Sequence, residues 1–393
     1  MAPEMGPSSF GGIDMPSSTH DLAIIGLGAV GGGALLAAAR AGVRVIGLDR
    51  YAPPHVMGST HGETRIVRAA IGEGALYSPF ALRNFELLDQ LAGETGDTLL
   101  DRCGLLVLGG TLPHATHVPA GFVQTTIDAA RTFGIAHELV PADDVRRRFP
   151  AYATFEGERA YYEPGAGMAY PERVVGAQIT RARALGAEVH LNTAALAIRQ
   201  NGSGVEIETP AGTILAARVI LSAGAWTPNF LPVPLARRLT VTRQSLHWFA
   251  PPADDAAFRS RSMPVFIWND LYGFPIADGP GGVKIATESL DAVVDPDHVD
   301  RAVSDADIAI VSPRVRAAFP QLGRHLRGAT CLYTATPDCH FRIIDHPDIA
   351  GATVVSACSG HGFKHAAALG EAVARGALSL TALSIPSSWR SLG

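Results

Sequence analysis

Lysine is nearly missing from this chain of 393 residues. Of its 32 basic residues only Lys284 and Lys364 are lysines, and the other 30 are arginines. Cysteine is scarce as well. Four in a chain of this length make no disulfide framework, and a reducing cytoplasm is the expected setting. Positive charge is not in excess: 32 basic against 37 acidic residues leave a net charge of −5, which excludes a nucleic-acid groove as the main business. No apolar run approaches the ~18 residues that a membrane span requires. The first 20 residues have neither a basic start nor an apolar stretch, so they read as a floppy leader and not as a secretion signal. What is present is globular in character. Hydrophobic residues make up 47% and charged residues 18%, and the length favours two domains over one.

Two lysines in an arginine-writing chain raise the question of what arginine cannot do there. An ammonium is a compact point charge whose pKa falls readily on burial. The alternative is survival by chance.

The segment from Asp21 carries the clearest pattern. An apolar strand over 22–25 runs into Gly26-Leu27-Gly28-Ala29-Val30-Gly31, followed by an Ala- and Leu-rich helix to Arg40 and a glycine, Gly42, suited to the helix end. A second apolar strand over 43–48 ends at Asp49. The strand–helix–strand unit has about 30 residues and G-x-G-x-x-G at its turn, which binds a pyrophosphate on backbone N–H groups at a helix N-terminus. Asp49 lies 18 residues after Gly31, near the ~20 expected for a carboxylate that holds ribose hydroxyls. The fingerprint does not separate FAD from NAD. Strand-like stretches over 205–207 and 213–221, the latter ending in Ser222-Ala223-Gly224-Ala225-Trp226, look like further parts of the same domain. So does a strand over 353–357 that leads into Ser359-Gly360-His361-Gly362-Phe363-Lys364 and an Ala-rich helix to about 377.

The material between these pieces alternates apolar and polar residues, as over 243–249 and 283–287, and reads as an antiparallel sheet with a helix or two. The run Arg146-Arg147-Arg148 reads as a solvated helix end. In His61-Gly62-Glu63-Thr64-Arg65-Ile66-Val67-Arg68 the two arginines share a face if the segment is helical, and both then point at an anion or a flavin ring; a solvated surface helix is the plain alternative. Cys103, Cys339 and Cys358 read as small buried hydrophobes. No residue stands at metal-ligand spacing from Cys331, and the adjacent Cys339 and His340 make no zinc site, so no metal is expected.

Together these segments resemble the monomeric sarcosine oxidase and N-methyltryptophan oxidase family, FAD amine oxidases with a covalent flavin. The matching pieces are GLGAVG at 26–31, APPHVMGSTHGETRIVRAAIGEG at 52–74, LSAGAW at 221–226, YGFP at 272–275, CLYT at 331–334 and SGHGFKH at 359–365. The resemblance implies a mixed α/β fold in two parts. A discontinuous Rossmann-type FAD-binding domain would take residues 21–98, 168–241 and 338–385. A substrate-binding domain built on an antiparallel sheet would take 99–167 and 242–337. It implies Cys331 as the residue bonded to the flavin 8α carbon, and Arg68 and Lys364 as the pair that binds a substrate carboxylate. Arg65 would lie close to the ring and Lys284 near flavin N5, where it is credited with oxygen activation. Tyr272 and Tyr333 would be pocket tyrosines, with His361 in the GHGF turn. Gly26, Gly28, Ala29, Val30, Gly31, Asp49, Arg50, Thr64, Arg65, Ala195, Ala223, Trp226, Gly360, Gly362, Phe363 and Lys364 would contact the cofactor.

One departure stands out. Four residues after Lys284, where the sarcosine oxidase pattern has a histidine at the substrate, this chain has Glu288. Ile267-Trp268-Asn269 also replaces the usual pocket-wall residues, in a shorter loop. Glu288 either faces a cationic or bulkier amine or pairs with an arginine. The expected activity is FAD-dependent oxidation of a secondary amino acid by O2, giving an imine and H2O2, in a monomer that needs only its amino-acid substrate and O2 as partners. The rivals are an NAD-dependent dehydrogenase, which leaves Cys331 and the SGHGFK turn without a role, a tailoring oxidase that desaturates a cyclic amino acid or imine, and a flavin-binding protein without catalysis.

Overall fold

The computed structural model describes residues 19–109, 121–278 and 281–391. Of the leader expected over 1–20, only Thr19 and His20 fall within the described residues.

All four residues of Leu22–Ile25 are apolar and buried, the pattern of a strand covered on both faces. It runs parallel to Val45–Leu48 on one side and to Val219–Leu221 on the other. Glu188–His190 continues the sheet beyond Val45–Leu48. Ala352–Ser356 and then the antiparallel Arg342–Asp345 complete it to six strands. Helix Ala29–Arg40 starts at the glycine turn and stops before Gly42, whose φ of +73° a side chain would resist. The later glycine-rich connection leads through a 3₁₀ turn at Phe363–His365 into helix Ala366–Ala377. These two helices touch backbone to backbone: a Cβ on Gly370 would lie 2.4 Å from the Val30 carbonyl oxygen. The parts of the parallel layer thus come from distant stretches of the chain.

The stretch over 213–221, expected as one strand, is two. Gly212–Ala216 closes a three-stranded antiparallel sheet with Ala197–Asn201 and Gly204–Thr209, whereas Val219–Leu221 enters the parallel sheet. Only the break at 217–218 lets the chain serve both.

The other large sheet has eight strands, in the order His325–Ala335, Thr240–Phe249, Val283–Thr287, Leu271–Phe274, Val265–Trp268, Leu105–Leu108, Arg159–Glu163 and Glu138–Pro141. It is antiparallel except at its middle, where Val265–Trp268 runs parallel to Leu105–Leu108. Two separate insertions meet at that seam, so no hairpin dictates their relative direction. Separate apolar clusters sit under the parallel sheet and under this one, the second closed by helix Asp305–Ala318.

The HGETRIVR segment is not helical. Arg65–Val67 is a strand, paired with Gly167–Ala169, which in turn pairs with Leu100–Asp101. Ile66 and Val67 favour extended backbone, and Gly62 with φ +96° sits just ahead of it. The shared helical face of Arg65 and Arg68 therefore does not exist. Arg146, Arg147 and Arg148 do end a short helix, Ala142–Arg148, each against its own carboxylate: Asp143, Asp144 and Glu138. No helix among the described residues is long and apolar enough to cross a membrane.

Candidate active site

A cavity of about 540 Å³ extends from the glycine turn at Gly26, Gly28, Ala29 and Val30 to a wall made by Tyr272, Glu288 and Tyr333. At the turn, helix Ala29–Arg40 has neither a side-chain cap nor an acidic residue in its first turn, so its N-terminal field is open to an anion. Gly28 leaves that approach clear, since a Cβ there would meet only Thr60 Oγ1, at 3.6 Å. Gly31 does not line the cavity. A Cβ on it would fall 1.8 Å from the Gly26 carbonyl oxygen, so it is glycine because the turn closes on itself.

Asp49, at the end of Val45–Leu48, is buried, and its two oxygens accept from the backbone N–H groups of Leu27 and Tyr51, each at 2.8 Å. It ties the glycine turn to the strand end before any ligand arrives. Arg50 lies over the Tyr51 and Trp226 rings and donates to Asp297 at 2.7 Å, while Trp226 Nε1 donates to the same oxygen at 2.8 Å. Ala195 and Ala223 complete this end.

At the other end, two cations from segments far apart in sequence converge. Arg68 is 1% exposed and Lys364 is 7% exposed, and both line the cavity. Between them lies Glu73, for which sequence reasoning assigned no role although it stands in the quoted IGEG piece. It accepts from Arg68 at 2.5 Å and from Lys364 at 3.0 Å. Arg68 also donates to the Ala70 carbonyl and packs over Phe122; Lys364 donates to the His361 carbonyl at 2.9 Å. Burial pulls the Lys364 ammonium down to about 8, against the opposing pull of Glu73. A second buried acid, Glu163, holds the bend after Arg68 through the N–H groups of Ala69 and Ala70 and the Tyr161 hydroxyl. Burial pushes its carboxyl up. No local signal announces its hold on the bend, since Ala69 and Ala70 lie more than ninety residues away.

Arg65 lines the cavity and donates to the Thr64 and Ser59 carbonyls at 2.8 and 2.7 Å. Thr64 and Lys284 lie behind that wall. Lys284, in Val283–Thr287, directs its ammonium at the Gly62 carbonyl (2.7 Å), the Thr64 carbonyl (2.8 Å) and Thr64 Oγ1 (3.2 Å). It also sits 4.5 Å from the centre of the Phe274 ring. Burial pushes its pKa well below the usual lysine range, and three acceptors hold the protonated form against that. Burial and the charge of Arg65 drive His61 down to about 3, so it is a neutral imidazole.

Tyr333 donates to Glu288 at 3.2 Å, and both line the cavity with Tyr272. Glu288 thus faces the cavity, and the alternative of an arginine partner is replaced by a tyrosine hydroxyl. Burial keeps both tyrosines protonated. Cys331, two residues before Tyr333 on the same strand, is 1% exposed and lies behind the lining, in the apolar cluster of Leu246, Trp248 and Ala286. Burial raises its thiol pKa, opposed by the charges of Arg65 and Lys284. Cys358, expected as an inert hydrophobe, lies on the cavity wall with its thiol 3.8 Å from Ser59 Oγ. Cys103 is half-buried and pushed up to about 12. Trp268 is not a wall residue. Strand alternation turns it away from Ile267, into the core against Tyr152, Phe155 and Phe319, and leaves Ile267 and Asn269 on the cavity.

Gly360, His361, Gly362 and Phe363 form the remaining wall beside Lys364. The His361 ring stacks on Phe341 at 4.7 Å, and its Nε2 lies 2.9 Å from the Cys339 carbonyl. Among the described residues no group of His, Cys, Asp or Glu is arranged to hold a metal ion.

A parallel sheet with a glycine turn open to an anion, joined by one cavity to a buried pair of cations, has the layout of a nucleotide-cofactor enzyme. The chain belongs to the FAD dependent oxidoreductase family, which matches residues 21–375. It is 35% identical over 373 residues to a monomeric sarcosine oxidase of Streptomyces avermitilis, covering 93% of this chain and 95% of that one. To an N-methyl-L-tryptophan oxidase of Yersinia pestis it is 33% identical over 362 residues, 90% of this chain and 94% of the other. Among solved structures it resembles NikD, an unusual amino acid oxidase essential for nikkomycin biosynthesis. The TM-score is 0.78 at 22% identity, with 95% and 98% of the two chains covered. Glycine oxidase from Geobacillus kaustophilus gives a TM-score of 0.75 at 20% identity, over 94% and 98%. At these identities the two structures attest the fold. The uncapped helix end, the open face at Gly28 and the long cavity fit the cofactor of the family.

Proposed function

We propose that the chain oxidises the carbon–nitrogen bond of a secondary amino acid, N-methyl or cyclic, with FAD as the redox group and O2 as the final acceptor, giving an imine and H2O2. The observation that carries this reading is the convergence of Arg68 and Lys364, both buried, on one end of a cavity whose other end is a dinucleotide turn. A carboxylate held by two cations from different segments fixes the orientation of the α-carbon and nitrogen beyond it. FAD, when bound, supplies the two-electron acceptor. Its dinucleotide would lie on Gly26, Gly28, Ala29 and Val30, with Asp49, Arg50, Ala195, Ala223 and Trp226 at the nucleotide end and Arg65, Gly360, Gly362 and Phe363 at the ring. Tyr272 and Tyr333 close the substrate end and keep their protons. Glu288 presents an anion to the substrate nitrogen or to a group beyond it. Release of peroxide from a panel of N-methyl and cyclic amino acids tests the whole reading, and silence across the panel overturns it.

The thiol of Cys331 would carry the flavin, attached through its 8α carbon. The support is the CLYT match and the nearness of Arg65 and Lys284, whose charges favour the thiolate. Acid precipitation of the FAD-saturated protein is expected to leave a yellow pellet, and Cys331→Ser to leave it white. All colour in the supernatant of the wild type would defeat the attachment.

Glu288 sets the preference. Sarcosine is expected to be a poor substrate beside amino acids with a larger or basic group near the amine, or beside cyclic ones. A charge-assisted hydrogen bond contributes ~1.5–3 kcal/mol, or roughly tenfold to a hundredfold in kcat/KM. Glu288→Gln is expected to erase most of that preference with the flavin spectrum intact. An unchanged substrate ranking in the variant would remove Glu288 from the recognition set.

A further inference from the structure

We propose that a carboxylate substrate enters the clamp together with one proton, which Glu73 takes. The inference rests on the carboxylate-binding role given above to Arg68 and Lys364, and it assigns Glu73 as the group that makes their charge available.

Arg68 and Lys364 are not idle cations awaiting a ligand. One carboxylate, Glu73, already bridges them at 2.5 and 3.0 Å, and its side chain is only 5% exposed. Glu163 stands behind Arg68, equally buried. Among the described residues, two cations therefore face the carboxyl groups of Glu73 and Glu163. Other described groups are packed around the cluster. Tyr77, four residues after Glu73, and Tyr161, against Glu163, are kept protonated by burial. Burial holds His365 neutral. Asp338 is paired with Arg342 at 2.6 Å. His361 offers its carbonyl to Lys364 and sets its ring on Phe341. On the cavity side Arg65 is turned to the Ser59 and Thr64 carbonyls, and Glu288 is held by Tyr333.

A substrate carboxylate added to this cluster sets a further carboxylate against the same two buried cations. An uncompensated buried charge is expensive enough that the group neutralises instead. Two carboxylates competing for one set of donors resolve the conflict in the same way, one of them keeping a proton. Glu73 is the one to yield. Glu163 is anchored by two backbone N–H groups and a hydroxyl that a ligand does not contest, whereas both oxygens of Glu73 are held by the two cations the ligand needs. The balance is one proton from solvent onto Glu73, with no other bond made or broken. Binding that takes up a proton weakens as pH rises.

The test is calorimetric titration of the holoenzyme with acetate, a carboxylate that cannot be oxidised, at about pH 7 in phosphate and in Tris, whose ionisation heats differ widely. Lys364 is already charged at that pH, so uptake there is not its own. About one proton taken up per acetate bound is expected, with the Kd rising about tenfold per pH unit below pH 8. Glu73→Gln combined with Lys364→Arg, whose charge does not titrate over that range, is expected to bind acetate with no uptake and a flat Kd, whereas Lys364→Arg alone and Glu163→Gln are expected to keep the uptake. Acetate binding in the wild type with no proton uptake overturns the proposal, whether or not the variants fold. So does uptake that persists in Glu73→Gln with Lys364→Arg. Failure of the underlying reading looks different: acetate then perturbs neither the calorimeter nor the flavin spectrum, and Arg68→Met changes nothing.

Discussion

Lys364→Met is expected to lower kcat/KM for the amino-acid substrate by ~10²- to 10⁴-fold, since removing one partner from a buried ion cluster costs about 3–5 kcal/mol. Most of the loss should fall on KM, because in the proposed role the ammonium holds the substrate carboxylate in the ground state and the transition state alike. The substitution keeps the length of the side chain and takes from Glu73 the ammonium that holds it at 3.0 Å, with the Arg68 bond retained. A pH signature accompanies it. The ammonium that binds a carboxylate is present below a pKa of about 8 and lost as pH rises through it. In the wild type the loss of the ammonium should therefore add to the proton uptake at Glu73 and steepen the fall of kcat/KM above pH 8, and in Lys364→Met that added steepening should vanish. Steady-state kinetics with an unaltered KM would take the carboxylate away from Lys364.

Lys284→Met is expected to slow re-oxidation of the reduced flavin by O2 by ~10²–10³, the usual cost of losing one preorganised charge, with little change in reduction by substrate. The geometry adds a second consequence. The Lys284 ammonium serves the carbonyls of Gly62 and Thr64 and the Thr64 hydroxyl, so the substitution removes three charge-assisted hydrogen bonds, although the Thr64 N–H still serves the Gly62 carbonyl and Arg65 the Thr64 carbonyl. The segment it frees carries Arg65 on the cavity wall. A lower thermal midpoint should thus accompany the slower re-oxidation in stopped-flow traces. Unchanged oxygen reactivity in a destabilised variant would leave Lys284 a structural cross-link and nothing more.

Both lysines of the chain prove to be buried at or just behind this cavity, which their rarity had hinted at. The count could not tell their circumstances apart. Lys364 lies on the cavity surface beside an acid, whereas Lys284 lies one layer back against backbone carbonyls, and only packing separates those environments. The arginines show the reverse failure. Their spacing of three suggested a helix face, but Ile66 and Val67 pair as a strand with Gly167–Ala169, and the two side chains serve different partners. Trp268 likewise stands next to the cavity in sequence and faces away from it in space.

What could be read from the residues alone was whatever is written within a few positions. The strand–glycine turn–helix unit of 22–48, the glycine-rich turn before Lys364 and the extended stretches of the second sheet all follow from local pattern, because backbone preference and periodicity act over that range. The contacts that join those pieces are not local. Glu73 meets a lysine 291 residues later, and Glu163 reaches back more than ninety residues to fix the bend after Arg68. A carboxylate in a sequence says nothing of which cation it will neutralise. That choice is made when two sheets close around a shared cavity, where desolvation makes each unpaired charge expensive and so decides its partner.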